Sequence, residues 1–327
     1  MTGEARARAM ADAALHYWGR AEGTPRLVKW RENIVFEAHL RSGAHVALRL
    51  HRPGYQSRRA IEAELDWTGR LHAAGLAVPA PVPALNGRPT VRVGDRVASV
   101  VAWIDGEPLG AAERPLAGDE AGQAAMMAGV GALVARLHEA TDRLALPAGF
   151  PRPRWDGEGL LGDRPRWGRF WTNPALSPAE REDLLAARAA ARAALDGMAR
   201  EGADFGLIHA DILRENILQT GAGLALIDFD DSGWGFRLYD LATAIVQSLE
   251  EPALPALAAA VVAGYRGVRP LPERDAARLS LFVALRAFAS CGWIATRAPA
   301  EDPRQRFYAD RAVRAAASVL SGRAIWD

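Results

Sequence analysis

Two acids and an amide, set close together, are the residues of this sequence best suited to chemistry. The run "LIHADILRENIL" carries Asp211 and Asn216, and the run "LALIDFDDSG" carries Asp228, 17 residues after Asp211. Each acid follows a short apolar run, so each carboxylate is expected at the end of a strand. Carboxylate and amide oxygens are hard ligands, suited to Mg²⁺ together with phosphate oxygens and water. Phosphoryl transfer asks for little covalent chemistry from a protein. It needs cations against the phosphate charge, a positioned nucleophile and an acceptor for the hydroxyl proton. Asp211, Asn216 and Asp228 between them offer the metal donors and a proton-accepting carboxylate. Taken singly, the same acids also read as a turn cap at Asp211 and a strand end at Asp228.

The elements that must position these groups divide the chain in two. Residues 4–19 read as an alanine-rich helix ending at Gly19, followed by strand-like runs "PRLVKW", "NIVFEAHL" and "HVALRL". A helix over 57–75 has Ser57 at its N-cap and stops at Gly75. "VPAPVPA" reads as an extended linker, because repeated prolines exclude helix and interior strand. Two further strands, "PTVRV" and "RVASVVAWI", complete a β-rich part over residues 1–105. Residues 106–327 are mainly helical, with helices expected over 120–141, 177–195, 238–249, 252–265, 273–297 and 303–320, and an irregular stretch over 149–176. The fold class is α+β: a small antiparallel lobe before a larger helical lobe, with a cleft between them as the place for a ligand.

The β-rich part offers a second constellation. In "HVALRL", alternation sends Val46, Leu48 and Leu50 to one face and Arg49 to the other. On the following helix, Ile61, Leu65, Thr68 and His72 form one stripe, and Glu64 falls inside it. A carboxylate on an inward face requires a cation, because unpaired burial is costly. Arg49 is the candidate partner, placed to touch nucleotide phosphates. The alternative is a Glu64 that reaches solvent from the stripe's edge.

In order and spacing, His209, Asp211 and Asn216, then Asp228-Phe229-Asp230, match the His-x-Asp-(x)4-Asn and Asp-Phe-x loops of kinases. The sequence resembles the aminoglycoside phosphotransferase and choline kinase superfamily, which includes type II homoserine kinases and bacterial stress response kinases. "IHADILRENIL" and "LIDFDDSGWGFRLYDLA" are similar to its catalytic and metal loops, and "VVAWIDGEPL" to its interlobe hinge. The resemblance implies a protein-kinase-like two-lobe fold that takes ATP and Mg²⁺. It implies Asp211 as catalytic base, Asn216 and Asp228 as metal ligands, and Arg49, Glu64, Asn33, Val101 and Trp103 as nucleotide-binding residues. Asp240 would be a buried acid bonding the catalytic loop, and His209 would orient that loop. Two departures stand out: Arg49 replaces the lysine of protein kinases, and "WRENIVF" stands where a glycine-rich loop would be. Lys29, the chain's only lysine, is either a stand-in for the missing strand lysine or a surface residue.

Composition bounds the rest. The chain has 327 residues, 50% hydrophobic and 24% charged, with net charge +1, so nothing argues for nucleic acid or an anionic membrane. One cysteine, Cys291 in an apolar run, excludes an internal disulfide framework and fits a reducing, cytoplasmic compartment. The N-terminal segment lacks the apolar region of a secretory signal, and no apolar run reads as long enough to span a membrane. The expected reaction is transfer of the γ-phosphoryl group of ATP to a hydroxyl of a small molecule, a hydroxy-amino acid such as homoserine or a similar metabolite. Arg286, in an apolar helix, suits a substrate carboxylate or pairs with an acid elsewhere in the chain. Asp230 and Asp231 read equally as ligands or as a solvated turn. Trp155, Trp167 and Trp171 line a substrate pocket or anchor the 149–176 loop. The alternatives are a protein Ser/Thr kinase of the stress response type and a non-catalytic nucleotide-binding module.

Overall fold

The computed structural model describes residues 3–30, 33–112 and 114–327. Two compact units form: Met1–Glu107 with Leu144–Arg152 and Gln219–Asp230, and Pro108–Arg143 with Pro153–Leu218 and Asp231–Asp327. Segments 144–152 and 219–230, which a cut at 105/106 puts in the second part, therefore cluster with the first.

In the first unit, helix α1 (Gly3–Leu15) precedes strands β1 (Ala21–Trp30), β2 (Ile34–Leu40) and β3 (His45–Leu50). Helix α2 (Arg58–Ala73) and strands β4 (Pro81–Val82), β5 (Thr90–Val93) and β6 (Arg96–Ala102) follow. The sheet is antiparallel, in the order β1-β2-β3-β6-β4, with β5 also on β6. Its faces follow from the period of two. Val46, Leu48 and Leu50 join Phe36, Ala98 and Val100 in a closed core, and α1 covers that face with Ala7, Ala11 and Leu15. The opposite face presents Ala47, Val97 and Val101, on which α2 lays Ile61 and Leu65. Ser57 caps α2 by accepting from the Ala60 amide, and Gly75 ends the turn with φ +88°.

Three details differ from expectation. α1 stops at Leu15 and gives way to a 3-10 turn, His16–Trp18, which sinks Trp18 into the core and lets its Nε1 donate to the Val82 carbonyl at 2.7 Å. Pro81–Val82 of the proline-rich linker pairs with β6 as an outer strand, where a missing amide costs no ladder bond. On α2 the buried position after Thr68 is Leu71, whereas His72 is exposed.

The second unit contains α3 (Glu120–Asp142), α4 (Gly157–Leu161), α5 (Pro178–Arg200), α6 (Arg237–Val246), α7 (Leu254–Arg266), α8 (Glu273–Ala276), α9 (Leu279–Arg297) and α10 (Arg304–Ser321). The helix expected over 273–297 is thus broken between α8 and α9. At the start of α5, Ser177 and Glu180 form a reciprocal capping box. The stretch 149–176 is less irregular than it reads: Arg154–Trp155 is a strand parallel to Gly233–Phe236, which pairs antiparallel with Phe205–Ile208. Glu273–Arg297 contains an 18-residue window apolar enough to cross a membrane, but 67% of that window is buried inside the protein, as in a core helix, so the expectation of no membrane span is not contradicted. Cys291 of α9 is buried, and burial pushes its thiol up to about 12, which makes it an inert core residue. α3 and α7 cross at Gly131 and Gly264, where a Cβ would come within 2.0 Å of the Val261 carbonyl oxygen and 1.9 Å of the Ala128 carbonyl oxygen respectively.

Candidate active site

The first unit gathers its charges on the face of the sheet away from α1. β3 holds Arg49 between two acids: Nη2 donates to Glu64 Oε1 at 2.6 Å and Nη1 to Asp230 Oδ1 at 2.9 Å. Glu64 is 1% exposed and so does not reach solvent from the stripe's edge. Burial opposes the Arg49 charge, but the carboxylates of Glu64 and Asp230 outweigh it and raise its pKa further. Asn33 donates its amide to Asp230 and accepts from the Arg52 backbone at 3.0 Å. Arg31 and Glu32, in the "WRENIVF" segment that stands in the sequence in place of a glycine-rich loop, lie outside the described residues.

Asp228 stands at φ +65°, a left-handed backbone that costs a non-glycine residue ~1–2 kcal/mol. Its Oδ2 lies 3.1 Å from Lys29 Nζ, so Lys29 is not a lone surface lysine. Phe229 packs edge-on against Trp67 of α2, ring centroids 5.4 Å apart. Asp230 is 9% exposed, so it is not a solvated turn, and it partners Arg49 and Asn33. Val101 lies opposite Ala47 in the sheet, and Trp103 donates its amide to the His45 carbonyl at 3.0 Å and stacks on the His45 ring.

The sequence reading missed Arg152. It is buried and donates to the Ala60 and Asp230 carbonyls at 2.8 and 2.7 Å and to Gln56 Oε1 at 3.0 Å. It thereby ties α2 to the Asp-Phe-Asp segment. Among so many arginines, nothing local singled it out.

The second unit builds the loop that carries Asp211. Strand Phe205–Ile208 runs into His209, and Asp240 of α6 accepts from the amides of His209 at 2.9 Å and Ala210 at 2.6 Å. These two bonds hold Ala210 at φ +67°, again a strained value for a residue with a Cβ. His209 Nδ1 accepts from the Asp211 amide at 3.3 Å, an orienting contact. Behind Asp240, His138 is fully buried with Nε2 3.0 Å from Oδ2, and its Nδ1 lies 2.9 Å from the Tyr265 hydroxyl. Burial lowers His138 to about 4, so it is neutral at physiological pH. Burial would raise Asp240, but the bond to His138 and the loop amides hold it below the usual carboxylate value.

Both Asp211 carboxylate oxygens are engaged. Asn216 Nδ2 donates to Oδ2 at 2.9 Å, and Arg286 Nη2 donates to Oδ1 at 2.8 Å. Arg286 of α9 also donates to Ser290 Oγ at 2.7 Å, and its guanidinium lies 4.4 Å from the Trp167 ring centroid. The acid that partners this core arginine is therefore Asp211. Trp167 Nε1 donates to Asp231 Oδ1 at 3.3 Å, and Trp155 Nε1 to the Asp231 carbonyl at 2.7 Å. Trp171 instead receives Arg188 over its ring at 4.3 Å. With its amide nitrogen turned to Asp211, Asn216 has its oxygen left to offer a cation. That oxygen is a hard donor of the kind Mg²⁺ takes, and in the first unit the Asp228 carboxylate is another, so the chemistry of each residue fits the ion.

Residues 30–282 match the family model described as the phosphotransferase enzyme family. The chain belongs to this family. It is a phosphotransferase of the small-molecule kinase type, with a hydroxyl group as acceptor and the protein-kinase-like fold expected from the resemblance. This phosphotransferase is 29% identical over 272 residues to the homoserine kinase of Chelativorans sp. (strain BNC1), covering 82% of this chain and 76% of that protein. Among solved structures, a microcompartment-associated aminopropanol kinase is 31% identical with a TM-score of 0.84, covering 96% of this chain and 98% of the other. An amicoumacin kinase in complex with AMP-PNP and Ca²⁺ shares the fold at a TM-score of 0.74 and 19% identity, over 99% of this chain and 97% of its own. These likenesses favour neither a protein hydroxyl as acceptor nor a non-catalytic module.

Proposed function

We propose that this phosphotransferase moves the γ-phosphoryl group of ATP, as its Mg²⁺ complex, to the hydroxyl of a short amino alcohol. The observation that carries this reading is the end-to-end likeness to an aminopropanol kinase at 31% identity. A hydroxy-amino acid such as homoserine is the second reading, favoured by the homoserine kinases among the relatives. The pairing of Arg286 with Asp211 supports the first, because it occupies the arginine that a substrate carboxylate would have used.

In this reading Asp211 accepts the proton of the substrate hydroxyl. Asn216 keeps its carboxylate oriented, and Asp240 fixes the loop beneath it. Asn216 Oδ1 and the Asp228 carboxylate would hold Mg²⁺, which would neutralise phosphate charge. Arg49, kept charged and aimed by Glu64 and Asp230, faces the nucleotide phosphates. Asn33 acts on them through Asp230 and the Arg52 backbone. Val101 and Trp103 border the base.

The test is ATP consumption by the purified chain with Mg²⁺ against aminopropanols, ethanolamine, homoserine, choline and an aminoglycoside. Turnover with an amino alcohol, lost in Asp211→Asn, is the expected result. Turnover with homoserine in preference moves the assignment to the second reading, and turnover with none of the panel removes both.

A further inference from the structure

The β2–β3 hairpin of the first unit carries a second set of ligating side chains, separate from those proposed for phosphoryl transfer. Glu37 and His39 lie two apart on β2 and so share a face, and His45 of β3 sits directly opposite His39 in the antiparallel register. One ligand atom from each of Glu37, His39 and His45 falls within 4.8 Å of the other two. The two imidazoles stack, with centroids 4.1 Å apart and planes 16° from parallel.

An ion pair accounts for part of this cluster. Glu37 Oε1 lies 2.9 Å from His45 Nε2, and Arg26 donates to Glu37 Oε2. Nothing in that pair requires His39, which adds a second imidazole on the same side. Asp105 Oδ1 stands 3.9 Å from His45 Nδ1, behind the nitrogen that faces Glu37. That distance is too long for a hydrogen bond, so this exposed carboxylate must draw closer before it orients the imidazole for a metal.

We propose that Glu37, His39 and His45 form a binding site for a divalent transition metal, Zn²⁺ in the first place. Two imidazole nitrogens and one carboxylate oxygen select Zn²⁺, Ni²⁺ or Cu²⁺ over Mg²⁺ or Ca²⁺. A tetrahedral set with bonds near 2.0–2.1 Å has donors ~3.3 Å apart, so Glu37 and His45, now 2.9 Å apart, open slightly while His39, within 4.8 Å of both, closes in, and the fourth place is open to water. His39 is exposed and His45 and Glu37 are half-buried, so the ion has access and the rings have room to turn. The metal would clamp β2 to β3 on the sheet face that also carries Arg49.

The test is calorimetric titration of the tag-free full chain with Zn²⁺ alone, alongside Co²⁺ absorption and thermal unfolding. One Zn²⁺ per chain is expected, with a tetrahedral Co²⁺ band and a raised unfolding midpoint. H39Q and H45Q, each with an unchanged midpoint in the absence of metal, should bind ~10-fold or more weakly and lose the Co²⁺ band. No saturable uptake by the wild-type chain, or uptake that survives either substitution, overturns the site.

Discussion

Arg286 Nη2 lies 2.8 Å from Asp211 Oδ1, while Asn216 Nδ2 holds the other carboxylate oxygen at 2.9 Å. The acid proposed to accept the substrate proton is therefore held in one rotamer from two sides. One of those sides comes from a helix 75 residues further along the chain. Arg286 is itself fixed by Ser290 and by the face of Trp167. Replacing it with glutamine frees the carboxylate to turn. Arg286→Gln is expected to lower kcat ~10²-fold, the scale of a small misplacement of a reacting group, with ATP-induced thermal stabilisation unchanged. Steady-state kinetics beside a thermal-shift titration separate these effects, and an unaltered kcat contradicts the positioning role.

The Arg49–Glu64 pair gives a prediction in the first unit. Glu64→Gln removes one of two carboxylates from a guanidinium that is 8% exposed, and the expected cost is on the order of 3 kcal/mol in chemical denaturation. Arg49→Lys keeps the charge but not the fork, so it reaches Glu64 or Asp230 and not both. It should cost less stability than Glu64→Gln and yet weaken ATP binding. A lysine variant with wild-type ATP affinity would show that the fork has no part in nucleotide binding.

His138 sets a pH dependence. Its pKa is about 4 in the folded protein because of burial, against ~6.5 in an unfolded chain. The unfolded chain thus takes up a proton first as pH falls, so stability is full above about 6.5 and declines towards 4. From pH 7 to pH 5 the loss from this one group is about 2 kcal/mol. Asp240, whose folded pKa is lowered, adds a further loss only as pH falls below its unfolded value, ~3.9. His138→Gln keeps a donor for Asp240 but cannot titrate, so its denaturation free energy should change less between pH 7 and pH 5. Equal slopes in both proteins would contradict this assignment.

The α3–α7 crossing yields a stability prediction away from any site. A methyl group at Gly264 would fall 1.9 Å from the Ala128 carbonyl oxygen, backbone against backbone, so the helices must separate. Gly264→Ala is expected to destabilise by ~3 kcal/mol despite alanine's better helix propensity. At Gly197 of α5, where the nearest atom is 3.9 Å away at the end of an arginine side chain, the same change should stabilise slightly. Melting temperatures of the two variants should therefore move in opposite directions.

The sequence alone determined the strands that deliver Asp211 and Asp228, the Ser177 capping box and the inward placement of Glu64. These follow from periods of two and 3.6 and from turn chemistry, all of which act over a few residues. It also placed Asp240 under the loop, by analogy of pattern. The tertiary structure decided which charges meet. Arg49 finds Asp230 181 residues away, His138 finds Asp240 102 residues away, and Arg286 finds Asp211 75 residues away. Almost every cation in this chain is an arginine, and a pattern gives any of them the same claim on any acid. Burial discriminates between them, since a desolvated guanidinium is tolerable only beside a carboxylate that the fold brings within bonding distance.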